Sequence, residues 1–172
     1  AYEILETVPE GLTGWIRPEA APFGLVRDTL SARVDPRAYV AALAAGLGDV
    51  IETGTPVTAL DLATATARTA RGPRSAGHLV VAAGWHCWGL IPDLAGAAVK
   101  GQAAVLEADA DGLPVIYQDG LYVIPHGAGR VAVGSTSEKR FDAPFGTDHL
   151  LDDVLTRARS LCPALAEAPV LE

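Results

Sequence analysis

Apolar residues recur along this chain at two spacings. Pro36, Tyr39, Val40, Leu43, Ala44 and Leu47 fall at i, i+3, i+4, i+7 intervals and share one face of a helix. Asp35 is a good N-cap, Pro36 sits at the first helical position where its missing N–H costs nothing, and Gly46 and Gly48 supply the stop. A second helix is predicted from Asp148 to Leu161, with Leu150, Leu151, Val154, Leu155, Ala158, Leu161 and Cys162 on one side and Pro163 ending it. Elsewhere the spacing drops to two or the apolar run is continuous. Val50 to Thr53 and Val57 to Leu62 read as strands, with residues 64–70 as a return strand and Arg71 to Ser75 as a loop. Leu79 to Ala83 reads as a buried strand that leaves its sheet through Gly84.

From about residue 98 the texture changes. Val99 to Glu107, Leu113 to Gln118, Leu121 to Pro125 and Arg130 to Gly134 form a series of short strands. Asp119-Gly120 is a two-residue hairpin signal, and Gly127-Ala128-Gly129 closes the next hairpin. Consecutive strands with tight turns imply an antiparallel meander, unlike the helix-alternating pattern before residue 98. The chain is therefore expected to hold pieces of two layers or domains joined near Gly96.

Composition narrows the classes. The 172 residues are 49% hydrophobic and 20% charged, with a formal net charge of -8. Scattered basic residues in an acidic chain argue against a nucleic-acid partner, which needs clustered Lys and Arg; the loose group Arg68, Arg71 and Arg74 suits a solvated hairpin. No apolar run approaches the roughly 18 residues that would span a bilayer, so no membrane helix is expected. No basic segment followed by an apolar one opens the chain, so no signal peptide is visible. Methionine is absent, which fits a processed, excised or incompletely represented chain. Cys87 and Cys162 are too few for a disulfide framework, and a reduced, cytoplasmic protein is the expectation.

Several motifs carry less than they promise. Gly127-Ala-Gly129-Arg-Val-Ala132 matches a dinucleotide fingerprint in letters, but that fingerprint works by opening a helix, and Arg130 to Gly134 alternates like a strand. Gly46-Leu-Gly48 ends a helix. Asp111-Gly-Leu-Pro-Val-Ile116 suits a turn and a strand. His78, His86, His126 and His149 lie at no metal-ligand spacing, so no metal site is expected. Cys87 beside His86 lacks a base that could reach it, and a buried small hydrophobe is the better reading. Gly134-Ser-Thr136 ends a strand rather than forming a nucleophile elbow.

An ordered set of segments says more. Ala82-Ala83-Gly84-Trp85, then Val99-Lys100-Gly101-Gln102, then Tyr122-Val-Ile-Pro-His126 running into Gly129-Arg-Val-Ala-Val-Gly-Ser-Thr136, resembles the middle of the FAD-dependent D-amino-acid oxidase superfamily, most of all its glycine oxidase and sarcosine oxidase branch. The likeness covers about Val34 to Leu171. It implies an α+β chain: an antiparallel-sheet substrate domain with helices from residues 1–30 and 98–172, and part of an α/β FAD-binding domain from residues 31–97. It also implies that Val57, Ala83, Gly84 and Trp85 line the cofactor, and that Tyr122 and Ser137 face a small amine or amino-acid substrate. No residue of the chain is expected to act as a catalytic acid or base, because the family oxidises an amine by hydride transfer to the flavin and the protein mainly orients the substrate.

The sequence departs from the family pattern in ways that matter. No Gly-x-Gly-x-x-Gly strand–helix unit lies within it, nor does the segment whose arginine grips a substrate carboxylate. His126 stands where arginine is frequent, and Gly120 stands where a pocket side chain is common. FAD is therefore expected in a parent protein and only weakly, if at all, on this chain alone. The competing expectation is a non-catalytic α+β module that shares the fold and binds a small ligand or partner.

Overall fold

The computed structural model describes residues 1–172. In chain order its strands are β1 (Tyr2–Leu5), β2 (Leu25–Asp28), β3 (Val57–Asp61), β4 (Thr66–Thr69), β5 (Gly72–Ser75), β6 (Ala103–Glu107), β7 (Ile116–Gln118), β8 (Leu121–Gly127) and β9 (Arg130–Gly134). Two α-helices accompany them, α1 (Pro36–Leu47) and α2 (His149–Leu161). Every strand pairing is antiparallel, and the chain is α+β. The chain divides into two compact units, one of Ala1–Pro36 with Val99–Glu172 and the other of Arg37–Ala98.

The first unit is built on a four-stranded sheet in the order β6-β9-β8-β7. Alternation sends Ala104 and Leu106 from β6, Ile116 from β7, Leu121 and Val123 from β8 and Val131 and Val133 from β9 to one face. There they meet Val154, Ala158 and Leu161 of α2, with Cys162, Leu165 and Ala168 just after it. Burial of Cys162 pushes its thiol up to about 12, which leaves it an inert packing group. Trp15, from the segment between β1 and β2, fills the same core, and its indole N–H donates to the Pro114 carbonyl at 2.9 Å. Asp119 and Gly120 both have positive φ, 47° and 82°, as a two-residue turn that follows the strand twist requires.

The second unit holds α1 and the meander β3-β4-β5. The Asp61 carboxylate accepts from the N–H groups of Ala63 and Thr64 and so shapes the turn between β3 and β4. Arg71 to Ser75, expected as a loop, supplies β5; Pro73 is tolerated because β5 lies at the sheet edge, where its missing N–H breaks no ladder. Two expected strands do not form. Val50 to Thr53 follows a single helical turn over Gly48–Val50 instead, with Ile51 N–H bonded to the Gly48 carbonyl. Leu79 to Ala83 forms no strand, and Val80 is 87% exposed. A buried strand needs hydrogen-bonding neighbours, and no strand in this unit runs beside that segment.

Candidate functional site

The face of the four-stranded sheet turned away from the core is where the substrate-side expectations fall. On β8, Leu121, Val123 and Pro125 point into the core, so Tyr122 and Ile124 point outward. The register sets a row across all four strands: Tyr117 opposite Tyr122, Tyr122 opposite Gly134, and Gly134 opposite Ala103. The next row is Ile124, Ala132 and Val105. These two rows are apolar, with a tyrosine pair at one side, and the row beyond them carries Glu107 opposite Arg130. The two rings lie 4.7 Å apart between centroids, tilted by 45°.

Ser137 reaches the same face through a change of register. Ala103 pairs with Gly134, but Lys100 pairs with Glu138, so one extra residue is taken up between these two points. Thr136 and Glu138 then turn toward Lys100 and Gln102, and alternation leaves Ser137 exposed on the outer side, beside Gly101 and one row beyond Gly134.

What holds this end of the sheet is a polar cluster that the sequence reading passed over. Lys100, Gln102 and Glu138 are buried. The Gln102 amide donates to Glu138 and to Asp148, each at 2.8 Å, and its own oxygen accepts from the Asp148 N–H at 2.9 Å. Lys100 Nζ lies 3.1 Å from Asp148 Oδ2 and 3.7 Å from Glu138 Oε2. Thr136 donates to Glu138 at 2.6 Å. Asp148 also caps α2 by accepting from the Leu150 N–H. Hydrogen bonds to the charged form lower both carboxyls. The Gln102 amide, the Leu150 N–H and Lys100 bring Asp148 down to about 2, and the Thr136 hydroxyl and Gln102 amide lower Glu138. Burying a lysine is tolerable only with such partners. The cluster fixes the start of α2 and the 135–138 segment, and through them the place of Ser137.

The cofactor-side expectations lie in the other unit. Val57 opens β3; Ala83, Gly84 and Trp85 sit where the unpaired apolar segment enters a helical turn over Gly84–Gly89. Gly84 has φ 55° with open space around its absent Cβ, and Trp85 is half-exposed with its ring 4.1 Å from that of His86. Small side chains, an open glycine and an exposed indole fit the rim of a site for a flat cofactor with a dinucleotide tail.

Other features are structural. A shallow concavity of about 530 Å³ is lined by Arg17, Thr156, Arg159, Ser160 and Ala166. Its arginines donate to the Ser160, Ala166 and Ala168 carbonyls, which closes the C-terminal end of α2. No three His, Cys, Asp or Glu side chains converge on a possible metal position among the described residues. No helix is long and apolar enough to cross a membrane.

Tyr117 is the outer-face residue that the sequence reading missed, although a signal existed. A two-residue turn at Asp119-Gly120 pairs Gln118 with Leu121 and therefore Tyr117 with Tyr122.

Solved structures share the fold. Glycine oxidase from Geobacillus kaustophilus superposes with a TM-score of 0.78 at 20% identity, over 100% of this chain and 49% of that one. Iminodiacetate oxidase from Chelativorans sp. BNC1 gives 0.78 at 22% identity, over 100% and 50%. Glycine oxidase from Bacillus cereus ATCC 14579 gives 0.59 at 23%, over 69% and 35%. The chain thus spans half or less of the length of these proteins, and at such identities the likeness is one of fold. No curated protein matches it by sequence. The family described as FAD dependent oxidoreductase, DAO, matches residues 3–172, nearly the whole chain, and the chain belongs to that family.

Proposed function

We propose that this chain is part of an FAD-dependent oxidoreductase that oxidises a small amine or amino acid by hydride transfer to the flavin. In this reading residues 1–30 and 98–172 belong to the substrate domain and residues 31–97 to the FAD-binding domain. Val57, Ala83, Gly84 and Trp85 contact the cofactor, and Tyr122 and Ser137 contact the substrate. FAD, when bound, supplies the two-electron acceptor for the hydride that leaves the substrate carbon. The chain's own contribution is to hold and desolvate the substrate on the outer face of the sheet. The free cysteines suit a reduced, cytoplasmic setting.

The observation that carries the reading is the outer face itself. Tyr122 and Ser137 are both exposed on the side of the sheet that is turned away from the packed core. Hydride transfer to a flavin needs orientation more than proton chemistry from the protein.

An absorption spectrum of the protein as purified, with FAD added, tests this. Flavin bands that bleach with glycine, sarcosine or a D-amino acid are expected. Bands that persist with every amine overturn the substrate class. A protein that stays colourless favours the non-catalytic module. The 172-residue chain alone is expected to bind FAD weakly, for want of a pyrophosphate cradle; sub-micromolar binding by equilibrium dialysis would show the cofactor residues to be wrongly placed.

A further inference from the structure

We infer that Thr136 is a positioning residue: its hydroxyl holds the change of register that turns Ser137 outward, and so fixes where the Ser137 hydroxyl meets the polar end of the substrate. This rests on the oxidase reading above and deepens it.

Alternation alone would put Ser137 on the wrong side. Val133 points into the core and Gly134 away from it, so an unbroken strand would turn Ser137 inward and Thr136 outward. The pairing shows where that pattern breaks. From Ala103 opposite Gly134 to Lys100 opposite Glu138 is a step of three residues on one strand and four on the other. One extra residue reverses the side on which the later side chains stand. Thr136 and Glu138 therefore turn inward, and Ser137 stands exposed.

The Thr136 hydroxyl holds this bulge. Residues facing each other in a hydrogen-bonded antiparallel pair normally exchange two main-chain bonds. The Thr136 N–H does donate to the Gln102 carbonyl, at 3.1 Å. The return bond from the Gln102 N–H goes instead to Thr136 Oγ1, at 2.8 Å. A hydroxyl has one proton, and this one is given to the Glu138 carboxylate at 2.6 Å, which leaves its lone pairs for the Gln102 N–H. Glu138 is held in turn by the Gln102 amide, and its main chain exchanges both bonds with Lys100. Both neighbours of Ser137 are thus fixed, while the Ser137 hydroxyl engages no group among the described residues. Removing the Thr136 hydroxyl leaves the Gln102 N–H without its acceptor and favours a slip back to regular alternation, which takes Ser137 off the outer side.

The test is a cycle of Thr136→Val, Ser137→Ala and the double variant in the FAD-loaded protein, with glycine, sarcosine and D-alanine as substrates. Each single change is expected to raise KM about threefold to tenfold, the worth of one hydrogen bond, and the double variant to rise no further. Thr136→Ser keeps the hydroxyl and is expected to restore KM. A double variant whose rise is the product of the single rises would show Thr136 acting otherwise than through Ser137 and overturn the inference. An unchanged KM in either single variant would overturn it also. Amide hydrogen exchange on the flavin-free chain reads the bulge without turnover. The Gln102 N–H is expected to exchange about tenfold faster in Thr136→Val and to recover in Thr136→Ser, with Val123 and Val131 unchanged. Equal acceleration at Val123 and Val131 would make Thr136 a support of the whole fold and overturn its positioning role. Failure of all three amines to bleach the flavin removes the oxidase reading itself, and this inference with it, whatever the exchange shows.

Discussion

The two units of this chain treat similar apolar patterns in opposite ways. In the unit of Ala1–Pro36 and Val99–Glu172, alternating residues on four strands and a stripe on α2 meet in a core where Trp15, Leu106, Leu121, Val123, Val131, Val133 and Leu165 are sealed from solvent. In the unit of Arg37–Ala98, Ala67 alone is buried. The stripe Tyr39, Val40, Leu43 and Leu47 on α1 is as regular as the one on α2, yet all four residues remain exposed. A pattern states which residues seek burial; a second layer must exist for burial to happen. Isolated helices are marginal in water, so α1, with no buried residue, derives little stability from contacts within its own unit.

The sharpest way to break this contrast is Leu106→Ala. Its side chain, on β6, is fully buried in the core, and removal is expected to cost about 2–5 kcal/mol in urea unfolding. A loss under about 1 kcal/mol would show the core to be looser than its burial implies.

Next in size is Gln102→Leu, which removes the amide joining Glu138, Asp148 and the start of α2. Loss of a satisfied buried partner is expected to cost about 1–3 kcal/mol. The same cluster sets an acid limit. Asp148 is held at about 2 against an ordinary 3.8, a lowered folded-state value. Its contribution is therefore fully present above the ordinary value and is lost as pH falls from there toward about 2, with Glu138 acting in the same direction. Melting temperatures between pH 6 and pH 2 check this; Gln102→Leu is expected to flatten the acid-side slope relative to the wild type.

The smallest effect belongs to the second unit. Leu43→Ala, although it removes a large apolar side chain from a well-patterned helix, is expected to change stability by less than about 0.5 kcal/mol, because Leu43 is already exposed. A cost near that of Leu106→Ala would mean that the α1 face is covered in solution.

The same contrast explains which features were legible in the residues. Asp119-Gly120, helix α2 and the β3–β4 hairpin are local, and local chemistry located them. Leu79 to Ala83 misled because its composition describes a strand with neighbours, and composition does not supply the neighbours. Pro73 misled in the other direction, since an edge strand accepts a residue that a central strand rejects. Trp15 and the Lys100, Gln102, Glu138 and Asp148 cluster were invisible for a different reason: their partners are distant in sequence, and no spacing announces them. Tyr122 was found by resemblance, whereas Tyr117 needed only the pairing rule of the turn beside it.

The Trp15 indole and its acceptor Pro114 are 99 residues apart, with the whole second unit threaded between them. On a ribosome that delivers about 5–20 residues per second, Trp15 emerges about 5–20 s before the carbonyl it will hold. Leu165, which completes its pocket, comes later still. Trp15 is thus made long before the core it fills, and during that interval its indole is available to chaperones. The order of synthesis, and not only the final packing, becomes a condition this fold has to satisfy.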